Sequence, residues 1–432
     1  MTFSGYLEPL QDAPYRLFLL ASVIVSICSW IFYTAQTWNF LEASGTAAAV
    51  AYLPIVLVIP VPIALVVGGV LTDRQGPKRT LVFAQGATAA TMLFIAAIAA
   101  LGQLSFLPTL ATGFLLGICA GLGSVPGQAL LVRIVDRRVI AKAFALSLVA
   151  TGIGRLVGGP VGGFVVQTSG AVPAFLIAAS GIVVATLIFR TLPHAAPLET
   201  SGPRISRRDL VDAFAWVRRT PAAMAIIAVD ATMAAVIYPY TAIVPVIARD
   251  LLGGGAAQMG ILVSAGGVGA ITGGIILAPL GRRLGQGRLF LVGVVVAGAG
   301  VAGLGLSNSA VASAFVAALI GGASIGASVT SGLLLQTMSP PRLRGRVLAL
   351  DSVLWNLVNP VSLLVLGLAV SEAGAGPVLL AMGALAASAV GAIALAHRPV
   401  LHLDIDASGN VTTRRVRRSS TQRPGGRGPD GD

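Results

Sequence analysis

Polar residues are so sparse along this chain that they act as boundaries between long apolar runs. Runs of spanning length fall near 17–41, 47–71, 80–101, 107–132, 143–167, 171–190, 222–248, 258–280, 289–306, 310–335, 347–370 and 376–396. A run of about 20 apolar residues crosses the hydrocarbon core of a bilayer as a helix. Backbone polar groups find no water there, and a helix satisfies them within its own segment. The pattern therefore predicts an all-α integral membrane protein with twelve transmembrane helices. The turns between runs are rich in Gly, Pro, Ser and Arg. The first run lacks a cationic leader and is too long for a signal core, so it is expected to be a retained helix.

The cations fix an expected orientation. With the N-terminus inside, the inside loops hold Arg74, Lys78 and Arg79, then Arg133, Arg137, Arg138 and Lys142, then Arg282, Arg283 and Arg288, then Arg342, Arg344 and Arg346. The outside loops hold only Arg249, beside Asp250. Positive charge marks the cytoplasmic side, so both termini are expected in the cytoplasm. Arginine dominates lysine, and Ala and Gly are abundant. That composition suits a bacterial source, and with it the inner membrane.

Composition narrows the function. The chain is 56% hydrophobic and 10% charged, against about 25% charged in soluble domains. A net charge of +13 would suit nucleic acid, but the cations sit in loops beside the bilayer and exclude that partner. Cys28 and Cys119 lie in apolar runs, and His194, His397 and His402 lie outside them. No disulfide framework, metal site or cofactor is expected.

The stretch 191–221 separates two groups of six runs. Within it, Leu210, Phe214 and Val217 share a helical face, which predicts an amphipathic helix on the inner membrane surface. A plain charged linker is the alternative. Residues 398–432 are polar and rich in Arg, Gly and Pro, which predicts a disordered cytoplasmic tail. Its Arg414–Arg418 cluster offers a contact for anionic lipid.

The two halves, 1–190 and 222–397, resemble each other. Gly69 through Lys78 aligns with Gly274 through Arg283, with Asp73 opposite Ala278. At nearly the same offset, Ala141-Lys142-Ala143-Phe144-Ala145-Leu146 aligns with Gly345-Arg346-Val347-Leu348-Ala349-Leu350. Two matches at one offset predict two pseudo-symmetric six-helix bundles, with a site between them at the midplane.

The loop Gly69-Val70-Leu71-Thr72-Asp73-Arg74-Gln75-Gly76-Pro77-Lys78-Arg79 resembles the signature loop between the second and third helices of the major facilitator superfamily. One cation of the signature is replaced by Pro77. The segments Val244–Gly255, Arg344-Gly345-Arg346-Val347 and Arg155–Gly163 are similar to the bacterial drug and siderophore exporter branch of that superfamily. The resemblance covers most of residues 10–396. It implies a monomeric secondary transporter of small molecules, working by alternating access; the helix-four arginine of many proton-coupled exporters has no counterpart between Thr109 and Val132, so exchange for protons would rest on Asp230 and Arg155. On that basis Gly69, Asp73, Arg74 and Gly76 are expected to gate, with Asp73 facing the start of the eleventh helix near Arg346 and Val347. For Lys78 and Arg79 the better expectation is simple topology determination.

Gly158-Gly159-Pro160-x-Gly162-Gly163 resembles the glycine- and proline-containing element of antiporters in the superfamily. Proline bends a helix and glycine permits close approach, so a sealing contact and ordinary small-residue packing both fit. Arg155 and Asp230 are charges at bilayer depth, which usually face a cavity or a partner. By the repeat offset Arg155 corresponds to Asn359, and Asp230 to Ser26, which places all four on the central cavity. The sharpest expectation is that Arg155 and Asp230 pair when the cavity is empty and part when substrate or a proton arrives. Tyr238-Pro239-Tyr240 is expected to interrupt the seventh helix and to offer aromatic faces to a flat or cationic substrate, interfacial tyrosines being the alternative. Trp355, Asn356 and Asn359 complete the cavity candidates.

The competing classes are an enzyme, a non-transporting scaffold or sensor, and an uptake carrier or uniporter of the same fold. Gly322-Ala323-Ser324-Ile325-Gly326 has the spelling of a nucleophile elbow, but neither a strand nor a base accompanies it. No Walker-type loop is present in the sequence, which excludes a self-contained ATP-driven pump. The favoured expectation is an exporter of small amphipathic molecules, and not an enzyme.

Overall fold

The computed structural model describes residues 8–136, 138–193, 207–397, 403–405 and 411–413. Arg137, the linker residues 194–206 and the Arg414–Arg418 cluster lie outside the described residues. Twelve helices are long and apolar enough to cross a membrane. They are the first to twelfth spans, in order: Ala13–Ser44, Ala47–Gln75, Pro77–Ala100, Phe106–Ile134, Ile140–Ser169, Ala171–Thr191, Pro221–Leu251, Ala256–Leu284, Gln286–Leu306, Ala310–Met338, Arg344–Ala373 and Ala375–Ala396. Among the described residues the only strands are Leu403–Ile405 and Val411–Thr413, which pair antiparallel in the segment expected to be a disordered tail.

Two spans are irregular, and prolines explain both. The second breaks at Ile59 and Pro60, between Ala47–Val58 and Val61–Gln75. The seventh is regular only over Pro221–Thr232. It then passes through π geometry at Met233–Ile237, 3-10 geometry at Tyr238–Ile243, and π geometry again at Ile247–Leu251. Pro239 and Pro245 each remove a backbone donor there, and the chain rewinds around the gaps.

The repeat is visible in the turns. The fifth span ends at Gly170 with φ 85°, whose N–H bonds the Val166 carbonyl. The eleventh ends at Gly374 with φ 79°, whose N–H bonds the Val370 carbonyl. Both turns need the left-handed region that glycine reaches without strain. One detail of the expected alignment is corrected. In backbone conformation the counterpart of Gly76 (φ 85°) is Gly285 (φ 89°), not Gly281. Gly281 is still helical, because the eighth span continues through Leu284. The second half carries one extra turn of helix before its loop.

The halves meet through the fifth and eighth spans and through the second and eleventh. Polar ties across the boundary cluster toward one end. The Ala48 N–H donates to Ser371 Oγ at 2.9 Å, and the Ala257 N–H to Gln167 Oε1 at 3.0 Å. Further in, Ser264 Oγ donates to the Leu156 carbonyl at 2.8 Å. This is the arginine-poor end. At the arginine-rich end the linker helix Arg207–Arg219 packs on the eleventh span. Its buried residues are Ala213 and Val217, four apart. Phe214, expected on the membrane-facing side, is 58% exposed and its neighbour Val211 59%, so both are available to a membrane surface. The helix is rolled so that the small Ala213 meets the bundle and Phe214 faces outward. Leu210's side chain lies outside the described set.

Candidate functional site

The fifth span explains how the two halves touch. Gly158 and Gly162, four apart, face the first span of the same half. A Cβ on Gly162 would lie 2.8 Å from the Ile31 carbonyl, and one on Gly158 would lie 2.7 Å from Trp30 Cβ. Gly159 and Gly163, also four apart, face the eighth span of the other half. A Cβ on Gly159 would lie 3.2 Å from the Gly260 carbonyl, and one on Gly163 would collide with the Ala256 carbonyl. The motif is therefore two-sided. One glycine pair packs within a half and the other forms the seam between halves, so the two readings of its sequence apply to different residues.

The signature loop looks different. Gly76 makes its turn at φ 85°, ψ 152° and caps the second span by donating to the Thr72 carbonyl. Asp73 makes no hydrogen bond or ion pair among the described residues. Arg74 is exposed. Gly69 has open space where a Cβ would be, as does its counterpart Gly274. Lys78 is more than a topology signal. It is buried and donates through Nζ to the Leu192 carbonyl, which ties the start of the third span to the end of the sixth.

Two aromatic pairs lie deeper in the spans. The Tyr238 and Trp355 rings meet edge to face at 4.7 Å, and Trp30 and Tyr33 do so at 5.4 Å. Arg155 lies over Trp30, its guanidinium carbon 5.2 Å from the ring centroid. Its stem crosses the glycine pair Gly266 and Gly267 of the eighth span, and a Cβ on Gly266 would lie 3.2 Å from a guanidinium nitrogen. Arg155 Nε is buried without a partner. Tyr33 and Tyr240 both feel its charge. One cation thus has aromatic neighbours on spans of both halves.

Asn359 repeats this arrangement in the other half. The shift along the chain that carries Arg155 onto Asn359 also carries Trp30 onto Ala234. Asn359 Nδ2 donates to the Ala234 carbonyl at 3.2 Å. Ala234 lies in the π segment of the seventh span, where the helix leaves carbonyls that need outside donors. Ser26 takes part in the contact between the first and fifth spans, donating to the Thr151 carbonyl at 3.2 Å. Asn356 instead donates along its own span to the Ser352 carbonyl at 2.7 Å.

The structure does not bring Asp230 to Arg155. Asp230 is 5% exposed and accepts a hydrogen bond from Ser331 Oγ of the tenth span. Its charged neighbour is Asp351 of the eleventh span. Asp230 precedes Ala234 by one helical turn, so it lies about 6 Å closer to the arginine-rich end than the level of Arg155's counterpart. Among the described residues neither Asp230 nor Arg155 belongs to an ion pair. Asp351 was not singled out in the sequence. It follows Arg344 and Arg346 closely and reads there as loop chemistry, although a carboxylate seven residues into a span was the available signal.

The chain matches the family described as transmembrane secretion effector over residues 4–425. It is 27% identical over 302 residues to the enterobactin exporter of Citrobacter koseri, covering 69% of this chain and 70% of that one. The enterobactin exporter of Salmonella typhimurium is also 27% identical, over 304 residues and the same shares. Among solved structures, the crystal structure of the nucleoside transporter NupG superposes with a TM-score of 0.72 at 13% identity, over 89% of this chain and 98% of that one. At that identity the likeness concerns the fold. The matched family and relatives are transporters, not enzymes.

Proposed function

The chain belongs to the transmembrane secretion effector family, within the major facilitator superfamily, and on that premise we propose that it exports small amphipathic organic molecules, of drug or siderophore type, by alternating access. It is a secondary transporter and a multi-pass protein of the bacterial inner membrane. One observation carries the mechanistic reading. The halves are tied at the arginine-poor end and in the middle of the fifth and eighth spans, while Asp73, Gly69 and Gly274 at the arginine-rich end have no close partner. With arginine-rich loops on the cytoplasmic side, this is the inward-facing state of a monomeric carrier. In the opposite state Asp73 meets the positive start of the eleventh span, and the glycine seam between the fifth and eighth spans is the surface on which the halves rock.

Substrate contacts the aromatic groups around Arg155, namely Trp30, Tyr238, Tyr240 and Trp355. Planar and amphipathic molecules suit such walls, and the exporters similar to this chain carry enterobactin by name. Coupling rests on Asp230 and Asp351. Asp230 is buried with Asp351 as an acidic neighbour, and protonation of either carboxyl removes their repulsion. Release of that proton to the cytoplasmic side would reset the carrier.

The test uses purified protein in proteoliposomes under an imposed proton gradient, with radiolabelled enterobactin and ethidium as probes. Gradient-dependent movement of either probe, abolished by an uncoupler, is expected. Movement that ignores the gradient would leave a uniporter, and no movement of a broad panel would leave a scaffold or sensor.

A further inference from the structure

The N-terminal half holds a half-open cavity of about 410 Å³ that adjoins the proposed substrate site through Trp30. It lies among the first, third and fourth spans, with Phe32, Met92 and Leu116 as apolar walls and Trp30 as an aromatic one. None of its lining residues is charged. Gln85, about 12 Å along the third span, places the cavity within the hydrocarbon depth of the protein.

Two glutamines line it and fare differently. Gln36 closes the end nearer the arginine-poor side. Its amide donates to the Thr109 carbonyl at 3.3 Å and to Thr112 Oγ1 at 3.2 Å. Gln85 makes no side-chain hydrogen bond, and its Oε1 is buried without a partner. Gly123 of the fourth span lies beside this amide, where a Cβ would meet Nε2 at 3.9 Å, an ordinary contact. An unsatisfied amide among apolar walls is costly where no bulk water competes. This half satisfies one such amide internally and leaves the other, at the cavity wall, without a partner.

The walls specify the guest. A cation inside would find no acidic partner and would be repelled by Arg155 at the Trp30 wall, and is strongly disfavoured. An aromatic ring gains contact with the Trp30 side of the cavity. A hydroxyl or carboxamide on that ring can both donate to and accept from the Gln85 side chain. We propose that this cavity is a subsite for an aromatic portion of the transported molecule that carries no positive charge, and that Gln85 selects a hydroxyl or carboxamide on it. The subsite rests on the transport reading for its purpose, but its occupancy is measurable without transport.

The probe is tritiated 2-naphthol, bound at equilibrium to the full chain in nanodiscs, with empty nanodiscs subtracted. Saturable binding at one per protein is expected. Unlabelled naphthalene should compete about tenfold more weakly, the value of one hydrogen bond, and 2-naphthylmethylammonium should not compete. Gln85→Met keeps the volume and should weaken 2-naphthol about tenfold while leaving naphthalene unchanged. Ala120→Phe fills the lining and should block both. Equal affinity for naphthalene and 2-naphthol in the unaltered protein overturns the proposal, as does binding indifferent to Ala120→Phe or the absence of saturable binding. The ranking of the three probes on the unaltered protein decides the matter even if a variant does not fold. Gradient-driven ethidium flux without 2-naphthol binding removes the subsite and keeps the transporter. Selective 2-naphthol binding without flux of any probe supports the subsite and removes the transport reading.

Discussion

Arg155 rests on the ring of Trp30 at 5.2 Å, a cation held by an aromatic face where a carboxylate was expected. Such a contact contributes about 0.5–2 kcal/mol. It leaves the cation's remaining donors open to a cargo, which an ion pair would not.

Arg155→Lys keeps the charge but loses the planar fork that stacks on Trp30. Transport in proteoliposomes should fall several-fold through a raised KM, and Trp30→Leu should reproduce the effect. A double variant no worse than either single change would show that the two act as one unit. Full additivity would show that they act separately.

Asp230→Asn and Asp351→Asn should each abolish uphill accumulation yet leave exchange of labelled for unlabelled substrate at equal concentrations. Ser331→Ala should weaken accumulation without eliminating it, because it removes only the hydrogen bond to Asp230. Normal uphill accumulation in Asp351→Asn would show that Asp230 couples alone.

Asp73→Asn should lower turnover about tenfold or more while substrate affinity stays within about twofold, as expected of a group acting on a conformational step. The melting temperature in detergent should not change, because Asp73 has no partner to lose in this conformation. A large loss of affinity in the folded variant would make Asp73 a substrate contact.

Gly163→Val should wedge the fifth span from Ala256 and open the arginine-poor end. A single cysteine at Val370, buried at 4%, should then react several-fold faster with a membrane-impermeant maleimide, in a background lacking Cys28 and Cys119. Gly162→Val faces Ile31 of its own half. It should lower the melting temperature without exposing position 370.

The number of spans, the twofold repeat and the interruption at Pro239 were legible because each leaves a local mark: an apolar run, a repeated word, a proline. The two-sided role of Gly158, Gly159, Gly162 and Gly163 was legible only as a cluster, since sequence does not say which neighbour each face meets. The partners of the charges were not legible. Arg155 chose an aromatic ring and Asp230 a serine and a second acid, because their levels differ by about one helical turn. Lys78 read as a loop cation, although its chain folds back to close the end of the sixth span.

In the proposed transport cycle, cargo recognition and motion fall on different residues of one helix. Gly159 and Gly163 touch the opposite half through backbone, with almost no side chain between, whereas Arg155, nearby on the same span, reaches the aromatic cluster. Lineages of this protein are therefore free to change what they carry. Substitutions around Trp30, Tyr238 or Trp355 can alter the cargo while the glycine bearing stays untouched, so a new specificity need not evolve a new way to move.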